Sequence, residues 1–187
     1  MQPTSAAPNV PLLMQALAAH DVAYVVAGSV AAQLHGVALE PRDFDVVPAL
    51  TPENLARLAQ VLRDVEACLS DIGQVGAWQE QADGEMKWVS REATPEERRQ
   101  RAAWRPRADN IASLDDLFHT RFGNLDVVPV VAGRYEDLVR RARRVRAYGC
   151  DVRVAHVDDL LAALTVPRRA RDTERVRQLR ALQRGRP

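Results

Sequence analysis

Three aspartates in this sequence interrupt runs of apolar, strand-forming residues. Asp43 and Asp45 flank Phe44, and Asp126 stands in the run 125–128, Leu-Asp-Val-Val. Residues two apart in a strand point to the same face, roughly 7 Å apart along the chain, so Asp43 and Asp45 project together while Phe44 can enter the core. Such carboxylates repel each other, and we expect at least one raised pKa. Three carboxylates on two strands would make an oxygen site suited to Mg²⁺ or Mn²⁺.

The aspartates alone are also explained as caps or ion-pair partners at strand ends. A second feature, the pair Gly28-Ser29, favours the chemical interpretation. It ends an apolar strand at 22–27 and opens a short helix at 30–35, which Gly36 closes. Backbone N–H groups and a hydroxyl at a helix start can donate to phosphate oxygens. The alternative is that Ser29 is a simple N-cap.

The order of these features is more specific than any of them alone. The sequence runs from a strand to Gly28-Ser29, then through thirteen residues (30–42) that include the short helix, to the Asp43-x-Asp45 strand and finally to a distant strand with Asp126. This order resembles the DNA-polymerase-β-like nucleotidyltransferase superfamily. The downstream segments are similar to its AbiEii-type toxin branch, found in bacterial toxin–antitoxin systems: 122–128 (FGNLDVV), 135–138 (YEDL), 152–161 (VRVAHVDDLL) and 169–172 (RARD). The resemblance covers most of the chain, excepting 76–110.

The resemblance implies a role for each matching residue. Gly28 and Ser29 would hold the nucleoside triphosphate, Asp43 and Asp45 would bind the metal, and Asp126 would be the third carboxylate, able to activate an acceptor hydroxyl. The polar residues Arg169 and Asp172 would line the cleft. Enzymes of this kind use Mg²⁺ or Mn²⁺ to transfer NMP from an NTP and release pyrophosphate. Toxin members act on RNA, notably tRNA ends, and a cognate antitoxin would then be a partner.

Two positions depart from the family pattern. Pro41 stands where Thr or Ser is frequent, and Leu164 where a basic residue is common. These departures favour an alternative, a catalytically weak or inactive nucleotide- or partner-binding module on the same fold. A third interpretation, an antibiotic-modifying transferase, would need an acidic pocket for a cationic drug.

Charge is distributed unevenly along the chain. Residues 1–133 carry 11 basic and 18 acidic side chains, a net −7, whereas 134–187 carry 15 arginines and 7 acids, a net +8. The basic part is explained either by solvated helix faces or by a surface that faces phosphates.

Two cysteines are too few for a disulfide framework, and residues 1–11 do not resemble a signal peptide. We therefore expect a cytoplasmic protein without a membrane segment.

Strands and helices alternate, which predicts one α/β (α+β) domain over 1–187, a small mixed sheet flanked by helices. Residues 1–133 would form the sheet core, and 134–187 would be mainly helical, with one helix over 135–146, a strand at 152–155 and further helices from 157 and 171. Residues 76–110 form an excursion, with a hairpin at Asp83-Gly84 and a capping box at 94–97. The three tryptophans of this excursion, Trp78, Trp88 and Trp104, would anchor it to the core or stack on bases.

Overall fold

The computed structural model describes residues 7–69, 73–80, 86–111, 116–164 and 170–185. Within these ranges the helices are α1 (Val10–Ala19), α2 (Gly28–Leu34), α3 (Pro52–Asp64), α4 (Pro95–Ala103), α5 (Ala108–Ile111), α6 (Tyr135–Arg141), α7 (Val157–Ala163) and α8 (Ala170–Arg184). The strands are β1 (Tyr24–Val26), β2 (Phe44–Pro48), β3 (Cys68–Leu69), β4 (Gln74–Glu80), β5 (Met86–Glu92), β6 (Asp116–Thr120), β7 (Gly123–Val127), β8 (Arg143–Ala147) and β9 (Cys150–Val154). The fold is therefore of the mixed α+β class, as predicted.

Seven strands form one mixed sheet in the order β3-β6-β7-β2-β1-β9-β8. The pairs β2–β7 and β1–β9 are parallel, and the other neighbours are antiparallel. All three residues of β1 are buried, which explains its unbroken apolar sequence. Because β1 and β2 are antiparallel, with Val26 opposite Val46, the end of β1 lies beside the start of β2. This pairing brings Gly28 next to the two aspartates.

The core follows the apolar pattern of the sequence. Phe44, between the two aspartates, is fully buried and makes an edge-to-face contact with Tyr24 at a centroid distance of 6.4 Å. From α1, Leu13, Met14 and Leu17 are at most 1% exposed. Burying a side chain of this size stabilises the fold by about 1.5–3 kcal/mol relative to leaving it exposed. None of the helices in the described part of the chain is long and apolar enough to cross a membrane.

The hairpin in the excursion is confirmed. Strands β4 and β5 pair as a separate two-stranded sheet, with Trp78 opposite Trp88, while the expected turn at Asp83-Gly84 lies outside the described residues. The capping box at Thr94 and Glu97 is also present. Trp104 stacks on the buried Phe118 at 5.3 Å, which favours the core-anchoring interpretation for this tryptophan.

The predicted helix over 135–146 is wrong beyond Arg141. Helix α6 ends there, and Arg143–Ala147 instead forms the edge strand β8, paired with β9. Tyr148 and Gly149 connect these strands with φ angles of 51° and 82°, both positive as a two-residue type I′ turn requires. The spacing of Leu138, Ala142 and Val145 suits a helix, but pairing with β9 overrides it. The C-terminal part therefore contributes two strands to the main sheet as well as helices.

Candidate active site

The Asp45 carboxylate lies directly against the backbone of Gly28. Gly28 has a φ of +56°, and a Cβ atom added there would lie 1.9 Å from Asp45 Oδ2. No side chain fits in that space, and most residues avoid this φ. The glycine is therefore required because the carboxylate occupies the place of its side chain. Strand β2 fixes the approach through a hydrogen bond of 3.0 Å from the Ala27 N–H to the Asp45 carbonyl.

Asp45 carries a strongly raised pKa. Burial, and after it the negative charge of Asp43, raises the pKa of Asp45 to about 6. The charge of Arg175 and the backbone N–H groups of Ser29 and Asp45 itself lower the pKa, without offsetting the larger causes. The expected raised pKa is thus present, although burial contributes more to it than the crowding of acids.

Asp126 occupies the position next to Asp45 in the sheet. Strands β2 and β7 are parallel, and Asp45 and Asp126 are direct register partners. Paired residues of neighbouring strands point to the same face, with strands about 4.8 Å apart. The structure therefore brings Asp126 to the face that carries Asp45. In the part of the chain that the structure describes, no three His, Cys, Asp or Glu side chains are arranged to hold a metal ion.

Ser29 does not act as an N-cap. Helix α2 begins at Gly28, its N-cap is Ala27, and no side chain caps it. The Ser29 N–H donates to the Asp45 carboxylate, so it is not free for a phosphate as the sequence suggested. The Ser29 side chain is buried, and its hydroxyl has no hydrogen-bond partner among the described residues. A buried hydroxyl without a partner is costly, which is typical of a group that binds a ligand.

The segment that leads into Asp43 is held by Asn124. This residue is 4% exposed, and its side-chain N–H donates to the Arg42 carbonyl at 3.2 Å. Its side-chain oxygen lies 2.8 Å from Nδ1 of His119 on the neighbouring strand. Asn124 precedes Asp126 by two residues in β7. This strand therefore carries Asp126 and also, through Asn124, holds the backbone just before Asp43. Sequence reasoning missed Asn124, although it lies within the FGNLDVV segment.

Helix α8 brings a charged pair to the same region. Arg175 Nη2 lies 4.0 Å from Asp172 Oδ1, and both side chains are only about 15% exposed. Sequence reasoning predicted Asp172 in the cleft but missed Arg175, which lies one helical turn later. Arg169, the other residue predicted there, lies outside the described residues. On α8, Arg177 is 74% exposed and pairs with Glu174, as expected for a solvated helix face, whereas the Arg175 side chain is only 15% exposed.

An open cavity of about 970 Å³ adjoins these residues. Ser29, Asp43 and Arg175 line it together with Gln33, Arg42 and Tyr148. The volume lies at the upper end of the range for small-molecule sites. Its walls carry two hydroxyls (Ser29 and Tyr148), two carboxylates (Glu40 and Asp43) and two guanidinium groups (Arg42 and Arg175). This mixture suits an anionic ligand that is accompanied by a bound cation.

Comparison with protein-family models and with curated proteins finds no match for this chain. The assignment of a function therefore depends on the geometry of the site and on the motifs of the sequence.

Proposed function

We propose that this protein is a metal-dependent nucleotidyltransferase that transfers NMP from an NTP to an acceptor hydroxyl. One observation carries the proposal: the partly buried Asp45 carboxylate packs on Gly28, lies in register with Asp126 and accepts the backbone N–H of Ser29, whose hydroxyl has no partner among the described residues. These are the residues that the resemblance to the nucleotidyltransferase superfamily assigns to donor binding and catalysis. Their spacing in the sequence and their proximity in the fold are separate arguments for the same site.

Two neighbouring carboxylates, Asp43 and Asp45, suit a magnesium or manganese ion that completes its coordination with substrate phosphates and water rather than with a third protein ligand. Asp43 and Asp45 are close enough for the charge of one to raise the pKa of the other, and Asp126 adds a third carboxylate to the same face. Mg²⁺ in phosphate-transfer sites typically binds one or two carboxylates together with substrate phosphates and water, rather than a complete protein cage. Asp43 and Asp45 would hold it here, with Asp126 beside them. When bound, the ion supplies positive charge to the attacking and leaving oxygens of an in-line displacement.

The chain's own residues bind the donor and take up the proton. The acceptor oxygen forms a bond to the α-phosphorus, the bond from that phosphorus to the oxygen of the β-phosphate breaks, and pyrophosphate leaves. Asp126 accepts the proton of the acceptor hydroxyl, and Ser29 Oγ donates a hydrogen bond to a phosphate oxygen. Phosphoryl transfer of this kind depends mainly on positioning and on charge stabilisation. The rigid contacts of Asp45 with Gly28 and Ser29 supply the positioning.

The proposed acceptor is RNA, in the manner of a toxin whose partner would be a cognate antitoxin. The resemblance to AbiEii-type toxins and the net charge of +8 over residues 134–187 support this choice, because basic surfaces attract nucleic acid. The test incubates the protein with Mg²⁺, each labelled NTP in turn, and either total RNA, a protein extract or an aminoglycoside. Label in RNA supports the proposal. Label that appears only in protein or in the aminoglycoside would identify that molecule as the acceptor instead of RNA. If no acceptor is labelled, the result favours the alternative of a nucleotide-binding module without transferase activity.

Divalent cations should stabilise the protein. An ion that binds the folded state alone stabilises it by about 2.7 kcal/mol at a hundred times its dissociation constant. We expect millimolar Mn²⁺ to raise the melting temperature of the wild type by several degrees, and a non-hydrolysable NTP analogue to add to this shift. Asp45→Asn should respond much less. A wild-type melting temperature that is insensitive to Mn²⁺ would contradict the metal site.

Replacing Ser29 by alanine should reduce transfer without destabilising the fold. The hydroxyl makes no hydrogen bond among the described residues, so its removal should change the free energy of unfolding by less than about 0.5 kcal/mol. A hydrogen bond to a charged phosphate contributes about 1.5–3 kcal/mol, and transfer at limiting NTP should fall by roughly tenfold to a few hundredfold. Ser90→Ala, at an exposed position in β5, is the control and should leave both quantities unchanged. Unchanged transfer by Ser29→Ala would remove this hydroxyl from the donor site.

A further inference from the structure

We propose that Arg175, which lines the cavity together with Ser29 and Asp43, binds the polyphosphate of the donor through contacts of its guanidinium with phosphate oxygens. This inference rests on the proposed function, since it concerns the same site, and it assigns a residue that the sequence motifs do not include. It also defines the ligand class as a polyphosphate chain, to which Ser29 and Arg175 donate hydrogen bonds together.

Two buried donors without partners line the same cavity. Among the described residues, neither the Ser29 hydroxyl, on a side chain 96% buried, nor the Arg175 Nε–H has a hydrogen-bond acceptor. A hydrogen-bond donor that is left unpaired in the interior costs free energy. The guanidinium can only donate, so it cannot accept the hydrogen bond of the Ser29 hydroxyl. A ligand that accepts hydrogen bonds would satisfy both groups. Phosphate oxygens accept from a guanidinium fork with good geometry.

The fold holds Arg175 in place independently of any ligand. Leu179, four residues later on α8, is fully buried in the core, and Gln178, three residues later, accepts a hydrogen bond of 3.1 Å from the Ala38 N–H. Residues three and four apart on a helix lie on the same face. The contacts of Leu179 and Gln178 therefore fix the face of α8 that carries Arg175 towards the cavity and the loop after α2.

The described residues do not satisfy all the hydrogen-bond donors of Arg175. Asp172 Oδ1 is 4.0 Å from Nη2, which is beyond hydrogen-bond distance. Arg175 also acts on Asp45 through its charge, which compensates part of the negative charge of the acidic group. A purely structural arginine at such a place would be expected to form a bidentate pair with one carboxylate, as Arg91 does with both oxygens of Glu97.

Binding of inorganic tripolyphosphate, measured by titration calorimetry with and without Mg²⁺, tests this assignment separately from turnover. Arg175→Gln should weaken tripolyphosphate binding by about tenfold to a hundredfold, the effect of losing a charge-assisted hydrogen bond. Arg175→Lys keeps the charge but not the fork, and should lie between Gln and the wild type. Arg177→Gln, on the exposed face of the same helix, is the matched control and should bind as the wild type does. Thermal melts verify that each variant is folded.

The outcomes separate this inference from the proposed function. Weakened tripolyphosphate binding by Arg175→Gln supports the assignment even if no NTP yields a transferred nucleotide, in which case only the proposed function fails. A folded Arg175→Gln variant that binds tripolyphosphate like the wild type overturns the assignment, and so does a wild type that does not bind tripolyphosphate. If transfer occurs and Arg175→Gln leaves the KM for NTP unchanged, the proposed function stands and the role of Arg175 is wrong.

Discussion

Asp45→Asn should abolish nucleotide transfer and at the same time make the protein more stable near neutral pH. The amide keeps the shape of the side chain and an oxygen that can accept the Ser29 N–H, but it has no charge with which to bind a metal ion. Losing such a group should lower the transfer rate by about a thousandfold or more. The fold becomes more stable because the substitution removes an ionised, partly buried carboxylate that lies close to Asp43.

The stability effect has a defined pH dependence. The folded-state pKa of Asp45 is about 6, raised from its ordinary value of 3.8, so between these values the folded state binds the proton more tightly than the unfolded chain. Wild-type stability should therefore decrease as pH rises through this window and remain lower above pH 6. The shift corresponds to about 3 kcal/mol at most. Urea unfolding at pH 4.5 and 7.5 should show this decrease in the wild type and not in Asp45→Asn.

A surface aspartate supplies the control for this comparison. Asp151 is 78% exposed and pairs with Arg146 on β8, so Asp151→Asn should retain both the wild-type pH profile and the transfer activity. An Asp45→Asn variant that is less stable than the wild type at pH 7.5 would contradict the interpretation of Asp45 as a partly buried carboxylate that Asp43 repels. Retained transfer would contradict its catalytic role.

Gly28→Ala should both destabilise the fold and reduce nucleotide transfer strongly. The added methyl would overlap the Asp45 carboxylate at 1.9 Å, and the residue would have to keep a φ of +56°. Overpacking costs about 1–3 kcal/mol, and the left-handed conformation about 1–2 kcal/mol more. Because the carboxylate must move to relieve the clash, transfer should fall as far as it does in Asp45→Asn. Chemical unfolding and the incorporation assay measure the two effects.

Two variants separate the clash from the backbone strain. Gly36 has a φ of +101°, but an added Cβ meets nothing within 4 Å, so Gly36→Ala should show only the strain, about 1–2 kcal/mol. In the background of Asp45→Ala the clashing atoms are gone, and Gly28→Ala should then cost about 1–3 kcal/mol less than in the wild type. Equal costs in both backgrounds would show that Asp45 does not lie against Gly28.

The parts of this structure that depend on local chemistry were predictable from the sequence. The buried strand before Gly28, the capping box at Thr94 and the same-face spacing of Asp43 and Asp45 follow from side-chain types and short periods. The sequence did not determine the register of Asp45 with Asp126, because this register depends on pairing between strands about eighty residues apart. The edge strand β8 was missed for the same reason: its pairing with β9 decides its structure, while its own sequence also suits a helix.

The role of Arg175 shows a second limit of sequence reasoning. Residues 134–187 contain fifteen arginines. The sequence alone does not distinguish the arginines that face solvent from the one that lines a cavity. Helix α8 has no strongly apolar face that would orient it, and its packing through Leu179 and Gln178 becomes visible only in the fold. Asn124 is a similar case, because its structural role depends on a hydrogen bond to the carbonyl of Arg42, which is distant in the sequence.

The proposed activity requires that the Asp43, Asp45 and Asp126 site transfers a nucleotide rather than only binding one. It is tested most directly by giving the protein an NTP labelled at the α-phosphate and, in parallel, the same NTP labelled at the γ-phosphate, each with Mg²⁺ and total RNA. The account predicts that the α-label enters RNA, that the γ-label is released as pyrophosphate, and that Asp45→Asn does neither. Incorporation of the γ-label, or equal α-label incorporation by wild type and Asp45→Asn, would contradict it.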